Sequence, residues 1–254
     1  MFMRLVSCFW RSIVKQRLDQ AMVVRKLVAS RSQAESYIKL GQVKVNGEVA
    51  QKPHRQVDDH DRIQVMAEEQ YVSRAAFKLA SVADLFHLDF TDKVVLDIGS
   101  STGGFTQFAL KHGAQKIYAI DVGTKQLHPS LRGDTRIDLR EQTDIRNVKD
   151  LKPKPDMILA DVSFISLREI VPTAIKLSHK NTQLVLMVKP QFEAGDQLKH
   201  KGVIKNESMR RTILKDFETW IKNYCVIIDK ADSAVSGAKG NTERFYLLKP
   251  LANV

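Results

Sequence analysis

The stretch VVLDIGSSTGGFTQFAL, residues 94–110, decides the fold. An apolar run of strand length ends in Asp97, glycines follow at 99, 103 and 104, and a helical pattern begins. Strand, glycine turn and helix together open an α/β unit. The main-chain amides at such a turn hydrogen-bond an anionic or polar ligand group. From Gly99 the spacing is G-x-x-x-G-G, which differs from the G-x-G-x-x-G of dinucleotide binding. No Gly-Lys-Ser/Thr follows, so it is not a nucleoside-triphosphate loop.

Outward from this turn, short apolar runs recur: KVVLDIG (93–99), KIYAIDVG (116–123), RIDL (136–139), DMILADV (156–162) and QLVLMVK (183–189). CVIIDKA (225–231) and RFYLLK (244–249) follow close together. Helical stretches separate the early runs. Runs this apolar, spaced by helices, predict a parallel sheet buried on both faces, with the last two as a hairpin of edge strands. YVSRAAFKLASVADLFHL (71–88) reads as a helix ahead of the sheet, with Ser73 able to cap it. Ligands in such sheets bind beyond the carboxyl ends of the strands. Asp97 and Asp121, after the second strand, therefore suit an adenosine-containing ligand, with Asp121 placed for ribose hydroxyls.

The chain has 254 residues, 43% apolar and 27% charged, enough for one full core and a small satellite domain. No apolar run approaches a membrane span. The start, MFMRLVSCFWRSIVKQ, is apolar and basic, but Arg4 and Arg11 interrupt it and no small-residue cleavage site follows. Residues 1–16 are read as an extension, not a signal peptide. Two distant cysteines, Cys8 and Cys225, form no Cys-x-x-Cys or Cys/His cluster, which fits a reducing compartment and supports neither a structural zinc nor an iron–sulfur site. Net charge is +11, and residues 1–67 hold 12 Lys+Arg against 6 Asp+Glu, pointing to a polyanionic partner.

Residues 17–66 read as a separate α+β unit. RLDQAMVVRKLV (17–28) places Leu18, Met22 and Leu27 at helical spacing, and SQAESYIKLG (32–41) offers a capping box of Ser32 with Glu35 and a stop at Gly41. VKVNGEVA (43–50) carries the Asn-Gly hairpin signal, DDHD (58–61) a turn and RIQVM (62–66) a strand. Arg17, Arg25, Lys26, Arg31, Lys39 and Lys44 decorate the helices and first strand. AEEQ (67–70) is a polar linker, and 71–254 forms the larger domain.

At the far strand ends the sequence places Asp161 in ILADVSFISL, Lys189 in LVLMVKPQFE and Glu243 in GAKGNTERFYLL, with Lys78 on the helix 71–88. Two lysines and two acids at one sheet end suit the handling of a hydroxyl proton, since a ribose 2′-OH is a poor nucleophile. A desolvated lysine can accept a proton, and general-base help of this kind is worth roughly 10²–10⁴-fold. Asp-Val-Ser-Phe replaces the Asn/Asp-Pro-Pro-aromatic of base-amine methylation, and neither cysteine lies at a strand mouth for carbon methylation.

DIGSSTGGF resembles the first motif of S-adenosylmethionine-dependent methyltransferases, and the Lys–Asp–Lys–Glu set resembles that of the FtsJ-like ribose 2′-O-methyltransferases. Residues 17–66, through RLDQ, SRSQA and GQVKVNGEVA, resemble the S-four-like RNA-binding module. The whole of 17–250 resembles the hemolysin-A (TlyA-type) family, through YVSRAAFKL, LDIGSSTGGFT, DVGTKQL, ADVSFISL, VKPQFE and GNTERF.

The resemblance implies a Rossmann-like methyltransferase sheet with a small amino-terminal RNA-binding domain, acting on cytidine ribose in ribosomal RNA of the subunits. It implies Lys78, Asp161, Lys189 and Glu243 as catalytic. It implies Asp97, Gly99, Ser101, Thr102, Gly103, Gly104, Phe105, Asp121 and Asp144 as holding S-adenosylmethionine, with no metal. The six basic residues named above would face RNA, and a cytoplasmic monomer is expected. A non-catalytic ribosome-assembly factor and a hemolysin are the alternatives. Ala75, Ser100, Ala238 and Arg244 depart from the family's usual glycine, alanine, proline and aromatic, without touching the four charged residues.

Overall fold

The computed structural model describes residues 15–28, 30–66, 71–195, 204, 206–235, 237 and 240–251. Residues 1–14, the linker 67–70 and Ala238 lie outside it, so the readings made on them stay as sequence expectations. The chain divides into two compact units, Met1–Glu69 and Gln70–Val254.

In the first unit, strand β1 (Gln16–Arg17) runs into helix α1 (Leu18–Val24), and α2 (Arg31–Lys39) follows. Helix α1 stops before Leu27, because Lys26 adopts a left-handed φ of 56°. The cap of α2 is Ser30, two residues earlier than the sequence suggests: its hydroxyl accepts from the Gln33 amide at 3.2 Å, and Glu35 lies inside the helix. Gly41 ends α2 at φ +69°. Strand β2 (Val43–Val45) lies between β3 (Glu48–Val49) and β5 (Ile63–Val65), while β4 (Gln56–Val57) pairs with β1. Asn46 and Gly47, both at positive φ, form the β2–β3 turn. Leu18, Met22, Tyr37, Ile38, Val43 and Val57 are buried in this unit.

The second unit is a seven-stranded sheet with helices on both faces. Its strands are β6 (Val94–Ile98), β7 (Lys116–Ile120), β8 (Ile137–Arg140), β9 (Met157–Ala160), β10 (Gln183–Val188), β11 (Cys225–Asp232) and β12 (Arg244–Pro250). They lie in the order β11-β12-β10-β9-β6-β7-β8, parallel from β10 to β8. Strand β12 is antiparallel to both neighbours, so of the last two strands only β11 is an edge; the expected pair of edge strands is corrected. Period-two alternation divides β6 between two cores. Val94, Leu96 and Ile98 pack with α5 (Leu167–Leu177) and with α7 (Glu207–Ile221), which follows the short α6 (Pro190–Glu193). Val95 packs with α3 (Arg74–Ala83) and α4 (Gly104–Lys111).

Register sets the site. The order reverses at β6, with β7 on one side and β9 on the other, leaving a crevice beyond their carboxyl ends. Ile98 opposite Ala160 brings Gly99 beside Asp161. Val188 opposite Arg244 brings Glu243, just before an antiparallel strand, to the same sheet end as Lys189.

Candidate active site

The turn after β6 is shaped by close packing. At Gly99, φ is +80° and a β-carbon would sit 3.0 Å from the Asp161 carbonyl oxygen, so only glycine lets the two loops meet. Gly103 and Gly104 serve packing within the unit. A β-carbon on Gly103 would meet the Leu127 and Leu131 methyls at 2.6 Å, and one on Gly104 would collide with Ser73 Oγ. Their missing side chains thus make room for a loop and a helix, a packing need beside the ligand role expected for them. Ser73 precedes α3 without capping it through its side chain.

Three cavities open at this sheet end. The largest, about 560 Å³, is lined among others by Gly99, Ser101, Asp121, Asp144 and Arg146. Asp121 accepts from the Ser101 amide at 2.8 Å and the Gly123 amide at 2.7 Å, and each oxygen keeps a lone pair for a ligand hydroxyl. Asp144 is more heavily engaged: Arg146 donates to both its oxygens, and this bond first of all holds the Asp144 carboxyl below the usual carboxylate range.

A second cavity of about 260 Å³ shares Gly99, Ser101, Asp161 and Ser163 with the first and adds Asp97, Thr102 and Phe105. Asp97 is buried; the Thr106 hydroxyl donates to its Oδ2 at 2.6 Å, and Oδ1 has no hydrogen-bond partner. Burial, reinforced by the charges of Asp161 and Asp121, pushes the Asp97 carboxyl up to about 7. A buried acid with one oxygen unsatisfied is ready for a cationic ligand.

The third cavity, about 290 Å³, shares Arg74, Lys78, Ser163 and Lys189 with the second and reaches Glu243. Here the four predicted charged residues form two pairs. Lys189 Nζ lies 2.6 Å from Asp161 Oδ1, and Lys78 Nζ lies 2.5 Å from Glu243 Oε2. All four side chains are largely buried. Removing one partner of such a pair strands a charge and costs about 3–5 kcal/mol. Among the described residues no group of three or more His, Cys, Asp or Glu is placed to hold a metal. No described helix is long and apolar enough to cross a membrane.

Sequence reasoning missed several participants. Lys189 also donates to Ser163 Oγ at 2.7 Å. Glu193 accepts from the Ser166 hydroxyl at 2.6 Å and the Leu167 amide at 2.7 Å, tying the loop after β9 to the short helix Pro190–Glu193 after β10. Burial raises its carboxyl. Glu141 accepts from the amides of Lys125, Gln126 and Leu127, holding the loop beside the largest cavity. Ser163 and Glu193 stood within quoted motifs; their signal was proximity to Asp161 and Lys189.

In the first unit the six basic residues divide. Arg17 and Arg31 both donate to the fully buried Asp19, at 2.8 Å each. Arg25 donates to the Asp58 and Asp61 carbonyls at 2.6 Å. Lys26 and Lys39 are exposed.

The FtsJ-like methyltransferase family matches residues 71–249, and the S4 domain matches residues 16–63. A protein of Brachyspira hyodysenteriae named hemolysin A is 40% identical over 238 residues, covering 89% of this chain and 97% of that one. The Mycobacterium tuberculosis 16S/23S rRNA (cytidine-2′-O)-methyltransferase TlyA is 34% identical over 241 residues, covering 92% of this chain and 90% of its own. A solved structure from Streptococcus thermophilus, described as a hemolysin, superposes with a TM-score of 0.69 at 33% identity, covering 95% of this chain and 90% of that one.

Proposed function

The chain belongs to the FtsJ-like methyltransferase family and carries an S4 domain ahead of its catalytic unit, and we propose that it methylates the ribose 2′-hydroxyl of cytidine in ribosomal RNA, with S-adenosylmethionine as donor. One observation carries this reading: both lysine–carboxylate pairs stand where the cavity of Asp97 joins the cavity of Glu243. The first two cavities suit the donor, with Asp121 for the ribose of its adenosine and the unsatisfied Asp97 oxygen for its cationic methionine end. Gly99, Ser101, Thr102 and Phe105 complete the walls. When bound, S-adenosylmethionine supplies an electrophilic sulfonium methyl.

The chain's own residues then act on the acceptor oxygen. Lys189 stands closest to it and either takes its proton or stabilises the developing alkoxide. Asp161 holds the Lys189 head group; Glu243 holds Lys78, which faces the same cavity and adds positive potential. Alignment of donor and acceptor supplies the rest of the rate. The S4 domain contributes RNA affinity through phosphate contacts, and the substrate places the enzyme in the cytoplasm.

The test is to incubate the purified chain with donor and with ribosomal subunits from cells lacking it, then to map ribose methylation. The expected product is a 2′-O-methylated cytidine. Methyl transfer to a base, or none with either subunit, overturns the reading.

A further inference from the structure

We propose that Ser163 is a positioning residue for methyl transfer, its hydroxyl fixing the rotation of the Lys189 head group and offering its own hydrogen to the acceptor ribose. The inference rests on the 2′-O-methyltransferase reading above. A lysine head group is a rotor with several equivalent hydrogens on a flexible stem. Asp161 Oδ1, at 2.6 Å, pairs its charge with Nζ but makes no hydrogen bond with it, and so leaves the rotation about Cε–Nζ unset. Ser163 Oγ, accepting at 2.7 Å, is the hydrogen bond that sets it. With one tetrahedral direction taken by Ser163, the other two, one of them available to the acceptor, are determined.

Ser163 is placed for a second contact. A hydroxyl has one hydrogen and two lone pairs. One lone pair takes the Lys189 hydrogen, and the Ser163 hydrogen has no acceptor among the described residues. Ser163 lines all three cavities, so it stands where donor and acceptor meet. Its loop is held at both ends. Gly99 packs against the Asp161 carbonyl on one side, and Glu193 grips Ser166 and the Leu167 amide on the other. Because Glu193 lies just beyond Lys189, the same contact that fixes the serine loop fixes it relative to the lysine.

The experiment compares Ser163→Ala, Ser163→Thr and Lys189→Ala in the full chain, by single-turnover methylation, KM for rRNA and calorimetric cofactor affinity. Misplacing a reacting group by about 1 Å costs on the order of 100-fold. Ser163→Ala is expected to lower the turnover rate by roughly 10–100-fold, with KM and cofactor affinity unchanged within about twofold. Ser163→Thr, which keeps the hydroxyl, restores most of the rate. A Ser163→Ala rate equal to wild type, a loss confined to KM, or a threonine variant no better than alanine overturns the proposal. Activity in Lys189→Ala would overturn the reading of the site itself. An inactive Lys189→Ala beside a normal Ser163→Ala would overturn only the role of Ser163.

Discussion

The two units use positive charge in opposite ways. In the first, the arginines build the fold: Arg17 and Arg31 neutralise a buried aspartate, and Arg25 ties down the 58–61 turn. The lysines there have no carboxylate partner among the described residues; Lys26 and Lys39 lie in solvent and Lys44 is half-buried on β2. In the second, Lys78 and Lys189 are buried and matched one to one with Glu243 and Asp161. A basic residue's identity in the sequence therefore does not say whether it grips RNA. Burial and partner decide, and the charge left unmatched at the surface is what we propose a phosphate meets.

The sharpest way to break this comparison is Lys189. If its buried pair is chemical, Lys189→Ala lowers the single-turnover rate by at least about 10³-fold, while rRNA and cofactor binding stay near wild type. Lys189→Arg is also expected to be inactive, because arginine keeps the charge but cannot act as a base; appreciable activity in that variant would assign Lys189 to alkoxide stabilisation instead. Restoration of the alanine variant by saturating rRNA would instead make Lys189 a phosphate-binding residue, the role proposed for the exposed lysines of the first unit.

A smaller effect is expected at Arg25. Its guanidinium makes two short hydrogen bonds to main-chain carbonyls, a fork geometry that lysine does not reproduce. Arg25→Ala should destabilise the first unit by about 2–3 kcal/mol, on the scale of hydrogen bonds to charged groups. Hydrogen exchange in the full chain would show faster opening of α1 and of the 58–61 turn. Unchanged protection, with weakened RNA binding, would return Arg25 to the phosphate-binding residues.

What was legible from sequence follows the same division. Strands buried on both faces carry near-continuous apolar runs, so β6, β7, β9 and β10 stand out, and the residue leaving each run is at the sheet end by construction. That is why Asp121, Asp161 and Lys189 were readable, while Asp97, one residue inside the end of β6, showed as the charge that breaks an apolar run. How the acids share out among the lysines was not, because the neighbour of β10 depends on β12 entering antiparallel between β10 and β11. That register puts Glu243 against Lys78 and leaves Asp161 to Lys189. The packing need at Gly103 and Gly104 was not legible for a related reason: a glycine pair at a turn looks the same in sequence whether or not its open side meets, as here, Leu127 and Ser73. In the first unit the Ser30 cap is local, and Ser30-x-x-Gln33 competed with Ser32-x-x-Glu35 for the same signature; the partners of Arg25 and Arg31 are tertiary facts with no local signature beyond residue type.

Asp97 sharpens the contrast with an acid that has no cation. With a folded value near 7, it stays protonated across the range from about pH 4 to 7, where the unfolded chain would ionise it. The folded state then holds more protons than the unfolded one, so this group's contribution to stability falls as pH rises through that window and is level above it. A cationic ligand favours the ionised form, so S-adenosylmethionine affinity should rise between pH 6 and 8 by roughly tenfold, with proton release on binding below pH 7. Calorimetry in buffers of differing ionisation enthalpy measures both. Asp97→Asn should bind more weakly and lose the pH dependence; a wild-type affinity flat from pH 6 to 8 would remove Asp97 from the neighbourhood of the cation.

The mildest expected effect lies at the surface lysines of the first unit. Lys26 follows α1 and Lys39 ends α2; neither has a carboxylate partner among the described residues, and both are exposed. Neutralising them should leave the fold untouched, since surface changes without partners usually move stability by about 0.5 kcal/mol or less. A lysine that neutralises one phosphate contributes about 0.7–0.9 to the slope of log affinity against log salt. Lys26→Gln and Lys39→Gln should therefore each weaken rRNA binding a few-fold at low salt, and the double variant should flatten the slope by about 1.5. The two effects should add, because the residues share no partner. The same measurement on Arg31→Gln separates the classes: Arg31 serves Asp19, so its replacement should appear as accelerated opening of the first unit, with the salt slope unchanged. An Arg31 variant that keeps its stability but has a flatter salt slope, beside lysine variants whose slope is unchanged, would reverse the assignment of building and binding charges within this unit.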